Sequence, residues 1–382
     1  MGELIYLDNA ATSFPKPASV YHEVRRCIEE YCGNPGRSGH SLSLAAAKTV
    51  YECRQELAAL FECENTENVI FTLNTTHSLN MALKGLMSDN DHVLISNIEH
   101  NSVYRPVMAS GCKFDIFNSY QPKEKLLKEI SEKLRADTKM IICSHASNIS
   151  PICNPIKEIG AMAKRRGIYF IVDAAQSAGI HPISMKKSNI DALCIPAHKG
   201  LYGIQGCGAL LLSSKFEGDK GERIKCLTEG GNGVASFEPF MPKRLPERLE
   251  SGTLPTPAIA GLLAGIRAVK ETGTDNIRAH EYLLCKRLRE NLKSLRGVKL
   301  YCPEFSKTNI ILFNLLSKSS IETTELLDRE GVCVRGGFHC SPLAHKLLKT
   351  GENGAVRVSP GGFNTLEEID RFTDILYKIN RL

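Results

Sequence analysis

A lysine stands where an apolar run gives way to small residues. In "CIPAHKGLYG" (Cys194 to Gly203), Lys199 follows Pro196, Ala197 and His198 and precedes Gly200, a setting in which its amine could be aimed into a pocket. Other groups able to do chemistry recur at the same kind of place, just after a short β-rich run. Thr75 and Thr76 follow "VIFTLN", His100 follows "HVLISNIE", Asn148 follows "MIICSHAS", and Asp173 and Gln176 close "IYFIVDAAQ". Each has an ordinary reading alone. Threonines cap helices, an aspartate after a buried strand caps the next helix, a histidine forms a hydrogen bond, and a lysine is solvated. As a set they match one chemistry. A lysine that forms an imine, an acid that keeps a pyridine nitrogen protonated and a helix start that grips a phosphate are what pyridoxal phosphate (PLP) catalysis needs.

These groups need a scaffold that brings strand ends together. The chain alternates strand and helix: "NVIFTLN", "DHVLISN", "KMIICSH", "IYFIVD", "ALCIP" and "GALLL" read as strands, with helices such as Thr76 to Leu86 and "EIGAMAKRRG" between them. Near-continuous apolar strands between helices predict a mostly parallel α/β sheet covered on both faces. In such sheets ligands bind outside the carboxyl ends of the strands, where the candidate residues fall. From about Leu254 the texture changes. "TLPTPAIAGLLAGIRAVKETG" and "EYLLCKRLRENLKSL" read as helices, "KTNIILFNL" and "GVCVRGG" as strands, and "TLEEIDRFTDILYKI" as a last helix. This predicts a large domain over residues 15–253. Residues 254–382 form a smaller α+β domain, with the N-terminal arm, residues 1–14, packing near it.

With 382 residues, one large and one smaller domain fit the usual limit on a single core. The net charge of +6 is dispersed, and the short basic clusters Lys164–Arg166 and Lys186–Lys187 read as solvated helix ends, so no nucleic-acid partner is expected. No apolar run reaches the roughly 18–20 residues that a bilayer needs and no charged-then-apolar leader opens the chain, so no membrane association and a cytoplasmic location are expected. The fourteen cysteines never form a CxxC pair, which argues for reduced thiols and against a metal site.

The ordered strings "LDNAAT", "FTLNTT", "EHNS", "SHASN", "VDAAQ", "AHKGLYG", "ESGT", "RGGFHC" and "RVSPGGFNTLEEID" resemble the class V aminotransferase-like family, within it the cysteine desulfurases and selenocysteine lyases. The resemblance runs from Leu7 to Asp370. It implies the fold-type I architecture of PLP-dependent transferases, with a mostly parallel seven-stranded sheet and a smaller C-terminal α+β domain. It also implies roles. Lys199 would carry PLP, Asp173 would pair with the pyridine nitrogen, Gln176 would bond the ring hydroxyl and His100 would stack on the ring. Thr75, Thr76 and His198 would bind the phosphate. Gly252 and Thr253 would reach the phosphate of the neighbouring subunit, implying a homodimer. Asn148, Arg335 and Arg357 would meet the substrate carboxylate, for which an arginine fork is suited.

Cys340 in "VRGGFHCSPLAH" resembles the nucleophile loop of group II desulfurases. It would take sulfur from L-cysteine as a persulfide, releasing alanine, for delivery to an acceptor protein in iron–sulfur or thiocofactor assembly. Arg335 and His339 would favour its thiolate. A selenocysteine lyase or related PLP β-lyase is the alternative, and a non-catalytic sulfur carrier a third reading. The chain departs from the family at Pro196, where a phosphate-binding hydroxyl is usual, at Ala197 and Ala174, where glycine is usual, and at His77, where an acid is common. A rearranged phosphate cradle is expected.

Overall fold

The structure, a computed structural model, describes residues 4–36, 39–217, 224–301 and 308–381. Its strands are β1 (Ile5–Tyr6), β2 (Val69–Thr72), β3 (His92–Ser96), β4 (Lys113–Phe117), β5 (Thr138–Ser144), β6 (Tyr169–Asp173), β7 (Ala192–Pro196), β8 (Gly208–Leu212), β9 (Val298–Leu300), β10 (Ile311–Leu315), β11 (Val332–Cys333) and β12 (Val356–Val358). The helices are α1 (Ala18–Arg26), α2 (Ser41–Phe61), α3 (Thr75–Leu86), α4 (Asn101–Ser110), α5 (Lys123–Lys133), α6 (Ile156–Arg166), α7 (Thr256–Thr272), α8 (Thr274–Ser294), α9 (Ser320–Arg329), α10 (Pro342–Leu348) and α11 (Leu366–Arg381).

The continuous apolar runs fold as the strands of one seven-stranded sheet in the order β2-β8-β7-β6-β5-β3-β4. Only β8 runs against its neighbours, so the other six strands point one way and their carboxyl ends form a single rim. Every residue of β2, β3, β7 and β8 is buried, which is why these segments lack polar alternation. Each Leu, Ile, Val or Phe so buried contributes about 1.5–3 kcal/mol. On one face, α2, α6 and α7 pack Leu57, Ile159 and Leu262 against Leu94, Ile141 and Leu193. On the other, α3 and α4 pack Leu79 and Val103 against Ile70, Ile95 and Ile171.

A second core lies between α8, α9, α11 and the antiparallel sheet β12-β10-β9, with Leu288, Phe313 and Phe372 fully buried in it. The N-terminal arm joins this core through Ile5 and Leu7, and β1 pairs in parallel with β11. Helix α7 lies beyond the expected 253/254 division, yet it packs on the large sheet. Helix α7 buries eleven of its seventeen residues, among them Ile259, Leu262 and Ile266 in the cluster of the large sheet. Residues 256–266 of α7 carry no charge and are almost all buried, as befits a helix inside a core, while Arg267, Lys270 and Glu271 are exposed near its end; the two cores change over at Gly273, between α7 and α8. The strand read from Lys307 begins at Ile311; Lys307 itself lies outside the described residues.

Among the described residues no helix is long and apolar enough to cross a membrane. No disulfide joins the described cysteines to one another.

Candidate active site

The rim gathers most of the predicted residues around one cavity. It is lined from β2 and α3 by Thr75 and Thr76, from the β3–α4 junction by His100, from the turn after β5 by Asn148, from β6 by Asp173 and Gln176, and from the turn after β7 by His198 and Lys199. Two glycines let the backbones close in. A Cβ at Gly200 would lie 2.4 Å from the Ala178 carbonyl, and one at Gly208 would lie 3.0 Å from the Cα of Asn74. Asn74 is the N-cap of α3, its side chain accepting from the His77 N–H at 2.9 Å, so Gly208 lets the start of α3 lie against the sheet.

Lys199 is half-buried, and desolvation pushes its amine down to about 8 despite the opposing pull of Asp173. A fraction of it is therefore the free amine needed to attack an aldehyde. Asp173 is buried. Desolvation raises its carboxyl pKa, while the Ala175 N–H, bonded to Oδ1 at 2.8 Å, and Lys199 oppose the shift. Gln176 donates through Nε2 to the Ala10 carbonyl at 3.0 Å, and the Thr12 hydroxyl and Ser13 N–H donate to the His198 carbonyl, each at 3.0 Å. The N-terminal arm thus holds residues on both sides of the lysine.

His100 caps α4. Its Nδ1 accepts from the Ser102 N–H at 3.1 Å and lies 2.8 Å from the Ser102 hydroxyl, which is 2.7 Å from the Thr76 hydroxyl. A backbone N–H can only donate, so Nδ1 is the bare nitrogen and the proton of the neutral ring sits on Nε2. Burial, with Lys199 and nearby arginines, pushes this imidazole down to about 4, so it is neutral at physiological pH. Ser102 lay inside the string "EHNS" but was not singled out. It links His100 to Thr76 at the start of α3.

The cavity fits a phosphate-bearing ligand. Thr75 Oγ1 and His198 Nδ1 are buried without a hydrogen-bond partner, beside the first turn of α3. Pro196 lines the same cavity with a ring in place of a hydroxyl, so the cradle lacks that donor. Gly252 and Thr253 are exposed and stand apart from this cavity; Gly252 lines a separate cleft with Asn34, Tyr51 and Glu250.

Cys340 is exposed and lines, with His100, Ser102 and Arg105, a groove beside the cavity. It sits on a tight turn: His339 and Cys340 are both left-handed, at φ 50° and 57°, each at a cost of roughly 1–3 kcal/mol for a non-glycine residue. Three hydrogen bonds hold the turn to the rim. The Asn101 N–H donates to the Cys340 carbonyl at 2.8 Å, Asn148 Nδ2 donates to the His339 carbonyl at 2.7 Å, and the Ser341 hydroxyl donates to Asn148 Oδ1 at 2.6 Å. The Asn148 amide, expected to meet a substrate carboxylate, is thus engaged at both ends with the Cys340 turn and keeps one N–H for a ligand. His339 does not act as the cation expected beside the thiol. It is buried, and desolvation pushes it down to about 3, so it is neutral.

Arg357 is buried, donating to Asp8 Oδ1 at 2.6 Å and to the Asn148 carbonyl at 3.1 Å, while its Nε has no partner. Asp8, within "LDNAAT", went unnoticed in the sequence. Arg335 is exposed and pairs through its backbone with Arg357. Glu99 was missed as well. It accepts from the Ser144 N–H and hydroxyl, both at 2.8 Å, beneath the cavity, and burial pushes its carboxyl up to about 7.

The family profile described as aminotransferase class-V matches residues 5–372. A probable cysteine desulfurase of Methanothermobacter thermautotrophicus is 30% identical over 98% of this chain and 94% of its own length. A probable cysteine desulfurase of Pyrococcus abyssi is 31% identical over 99% and 94%. Among solved structures, the apo cysteine desulfurase of Thermococcus onnurineus superposes with a TM-score of 0.89 at 30% identity, covering 99% of this chain and 95% of that one. With its rim cavity and its seven-stranded sheet, the chain has the fold-type I architecture of PLP-dependent enzymes and belongs to the class-V aminotransferase family.

Proposed function

We propose that this protein is a PLP-dependent cysteine desulfurase that converts L-cysteine to L-alanine and collects the sulfur on Cys340 as a persulfide. The observation that carries the reading is the seat of Cys340: an exposed thiol on a turn bonded to Asn101, the residue after His100, beside the cavity of Lys199 and Asp173. Relatives matching nearly the whole chain carry the desulfurase name, which favours this reading over the selenocysteine lyase.

Lys199 would hold PLP, Asp173 its ring nitrogen, Gln176 its ring hydroxyl, and His100 its ring face. Thr75, Thr76 and His198 would hold the phosphate. When bound, PLP supplies the electron sink that labilises bonds around the substrate Cα. The substrate carboxylate would meet Arg357, with Arg335 at the mouth and the spare N–H of Asn148 beside them. Cys340 Sγ attacks the substrate sulfur. An S–S bond forms as the substrate C–S bond breaks, the C–S electron pair stays with Cβ, and Cβ takes up the proton that the Cys340 thiol gave up. The products are a Cys340 persulfide and alanine, and no external oxidant or reductant is needed. His100 keeps its proton at Nε2 throughout the physiological range.

A homodimer, with Gly252 and Thr253 serving the partner's site, a sulfur-acceptor protein meeting the exposed Cys340, and a cytoplasmic setting complete the proposal. The test is a visible spectrum of the purified protein with PLP, with alanine and sulfide assayed after adding cysteine and a reductant. Release of both, lost in Cys340→Ala, supports the desulfurase. Alanine from selenocysteine alone sinks it.

A further inference from the structure

Two buried histidines behind Cys340 have no part in the reaction as written. His339 Nε2 lies 3.0 Å from the Arg335 carbonyl, which can only accept, so Nε2 carries the proton and Nδ1 is bare. Nδ1 lies 3.2 Å from Nε2 of His345, which must therefore donate. His345 Nδ1 is then bare as well, and it lies 2.8 Å from the Thr350 hydroxyl, which donates to it. The two rings are nearly parallel, 10° apart, and both residues are buried, with 4% and 3% of their surface exposed. The pair thus forms one directed chain, Thr350 to His345 to His339 to Arg335, and the His345 ring has a further hydrogen bond to the Phe338 carbonyl, two residues before Cys340.

We propose that His345 is a positioning residue for Cys340, holding the left-handed turn that carries the thiol by fixing the orientation of the His339 ring. The chain ends on the Arg335 carbonyl, five residues before Cys340, and His339 is itself the first left-handed residue of the turn. His345 is anchored independently on α10: its N–H donates to the Ser341 carbonyl, and its own carbonyl accepts from the Thr350 N–H. Without His345, Nδ1 of His339 is a buried acceptor with no donor. The ring then gains by turning, which breaks the bond to Arg335 and frees the turn to leave its strained conformation. Cys340 gives up its bond to Asn101 in that change, and its thiol no longer has one seat at the cavity mouth. Desulfuration depends on that seat, because attack on sulfur needs the reacting atoms close and aligned.

This assignment rests on Cys340 being the nucleophile, so the test has a readout that needs no desulfuration. In the full-length protein loaded with PLP, the rate of Cys340 alkylation by iodoacetamide is followed by peptide mass spectrometry, alongside kcat and KM for cysteine. His345→Leu should change the alkylation rate by more than about threefold and lower kcat by about tenfold or more, with KM and the cofactor spectrum little altered. His345→Gln, which returns a donor toward His339, should recover most of both. Unchanged alkylation in folded His345→Leu overturns the proposal, as does Gln being no better than Leu, since packing alone would then explain the site. If His345→Leu does not fold, Thr350→Val decides: a smaller change of the same kind supports the chain, and none overturns it. A wild-type protein that makes no alanine refutes the desulfurase reading while the alkylation comparison still judges this one.

Discussion

The backbone N–H of Asn101 donates to the carbonyl of Cys340 at 2.8 Å, tying the exposed thiol of one core to the residue that follows His100 on the other. The bond joins positions 239 apart in the chain. It brings an exposed thiol beside a neutral imidazole and a lysine of lowered basicity, and it makes the position of Cys340 depend on two distant stretches of the chain.

Asn148 grips the same turn from the other side, through the His339 carbonyl and the Ser341 hydroxyl. If this grip is its main task, Asn148→Ala should lower kcat by about tenfold or more, because a misplaced reacting group loses rate steeply. KM for cysteine should move by no more than a few-fold. A large rise in KM with kcat preserved would return Asn148 to the role of carboxylate ligand.

Asp8 neutralises a buried arginine. Arg357 is 2% exposed, and its contact with Asp8 is 2.6 Å. Asp8→Asn keeps an acceptor but removes the charge, leaving a buried guanidinium without its counter-ion, so a loss of about 2–4 kcal/mol of stability is expected. Denaturant unfolding at neutral pH measures it. A change under about 0.5 kcal/mol would mean that water, not Asp8, solvates Arg357.

Much of this arrangement could be read in the sequence, and the reason is local. The strands β2, β3, β5, β6, β7 and β8 are continuous apolar runs, and the groups that follow five of them reach one rim because those strands are parallel. The edge strand β4 gave no such signal, because it is half exposed and mixes Lys113 and Asp115 with Phe114 and Ile116. The two-residue ladder of β1 with β11 exists only through pairing across the whole chain. Within helix α7 the run "AIAGLLAGI" has no polar face, and that uniformity was the available sign of its burial. The partners of Cys340 and Arg357 were hidden for another reason. Asn148 lies 191 residues from His339, and Asp8 lies 349 from Arg357, and no local pattern encodes such contacts.

The departure at Pro196 has a direct test. Pro196 ends β7 and lines the cavity near Thr75 Oγ1 and His198 Nδ1, both without partners. Pro196→Ser returns a hydroxyl to this anion-binding rim, and a charge-assisted bond to phosphate is worth about 1.5–3 kcal/mol at best. PLP should then dissociate several-fold more slowly, with kcat for cysteine little changed. Equal or faster cofactor loss would show that the ring of Pro196 shapes the cradle better than a hydroxyl fills it.

Acid should destabilise the protein through histidines buried in their neutral form. Burial pushes His145 down to about 3 and His181 to about 4, and their rings meet edge to face at 5.7 Å. The unfolded chain has histidines near 6.5. As pH falls below that value the unfolded state binds protons that the folded state refuses. The stability these residues contribute is complete above about pH 6.5 and is lost progressively toward their folded pKa values. Glu99 and Glu281 act in the opposite sense, since burial pushes them up to about 7 and about 8, and what they contribute in acid is lost as pH rises through those values. His145→Phe isolates one histidine: Nδ1 of His145 has no partner to lose, and an aromatic ring remains against His181. Between pH 6.5 and 4.5, urea unfolding of the wild type should lose about 2–3 kcal/mol more than that of His145→Phe. Parallel stability curves over this range would mean that His145 protonates in the folded protein as readily as in the unfolded chain.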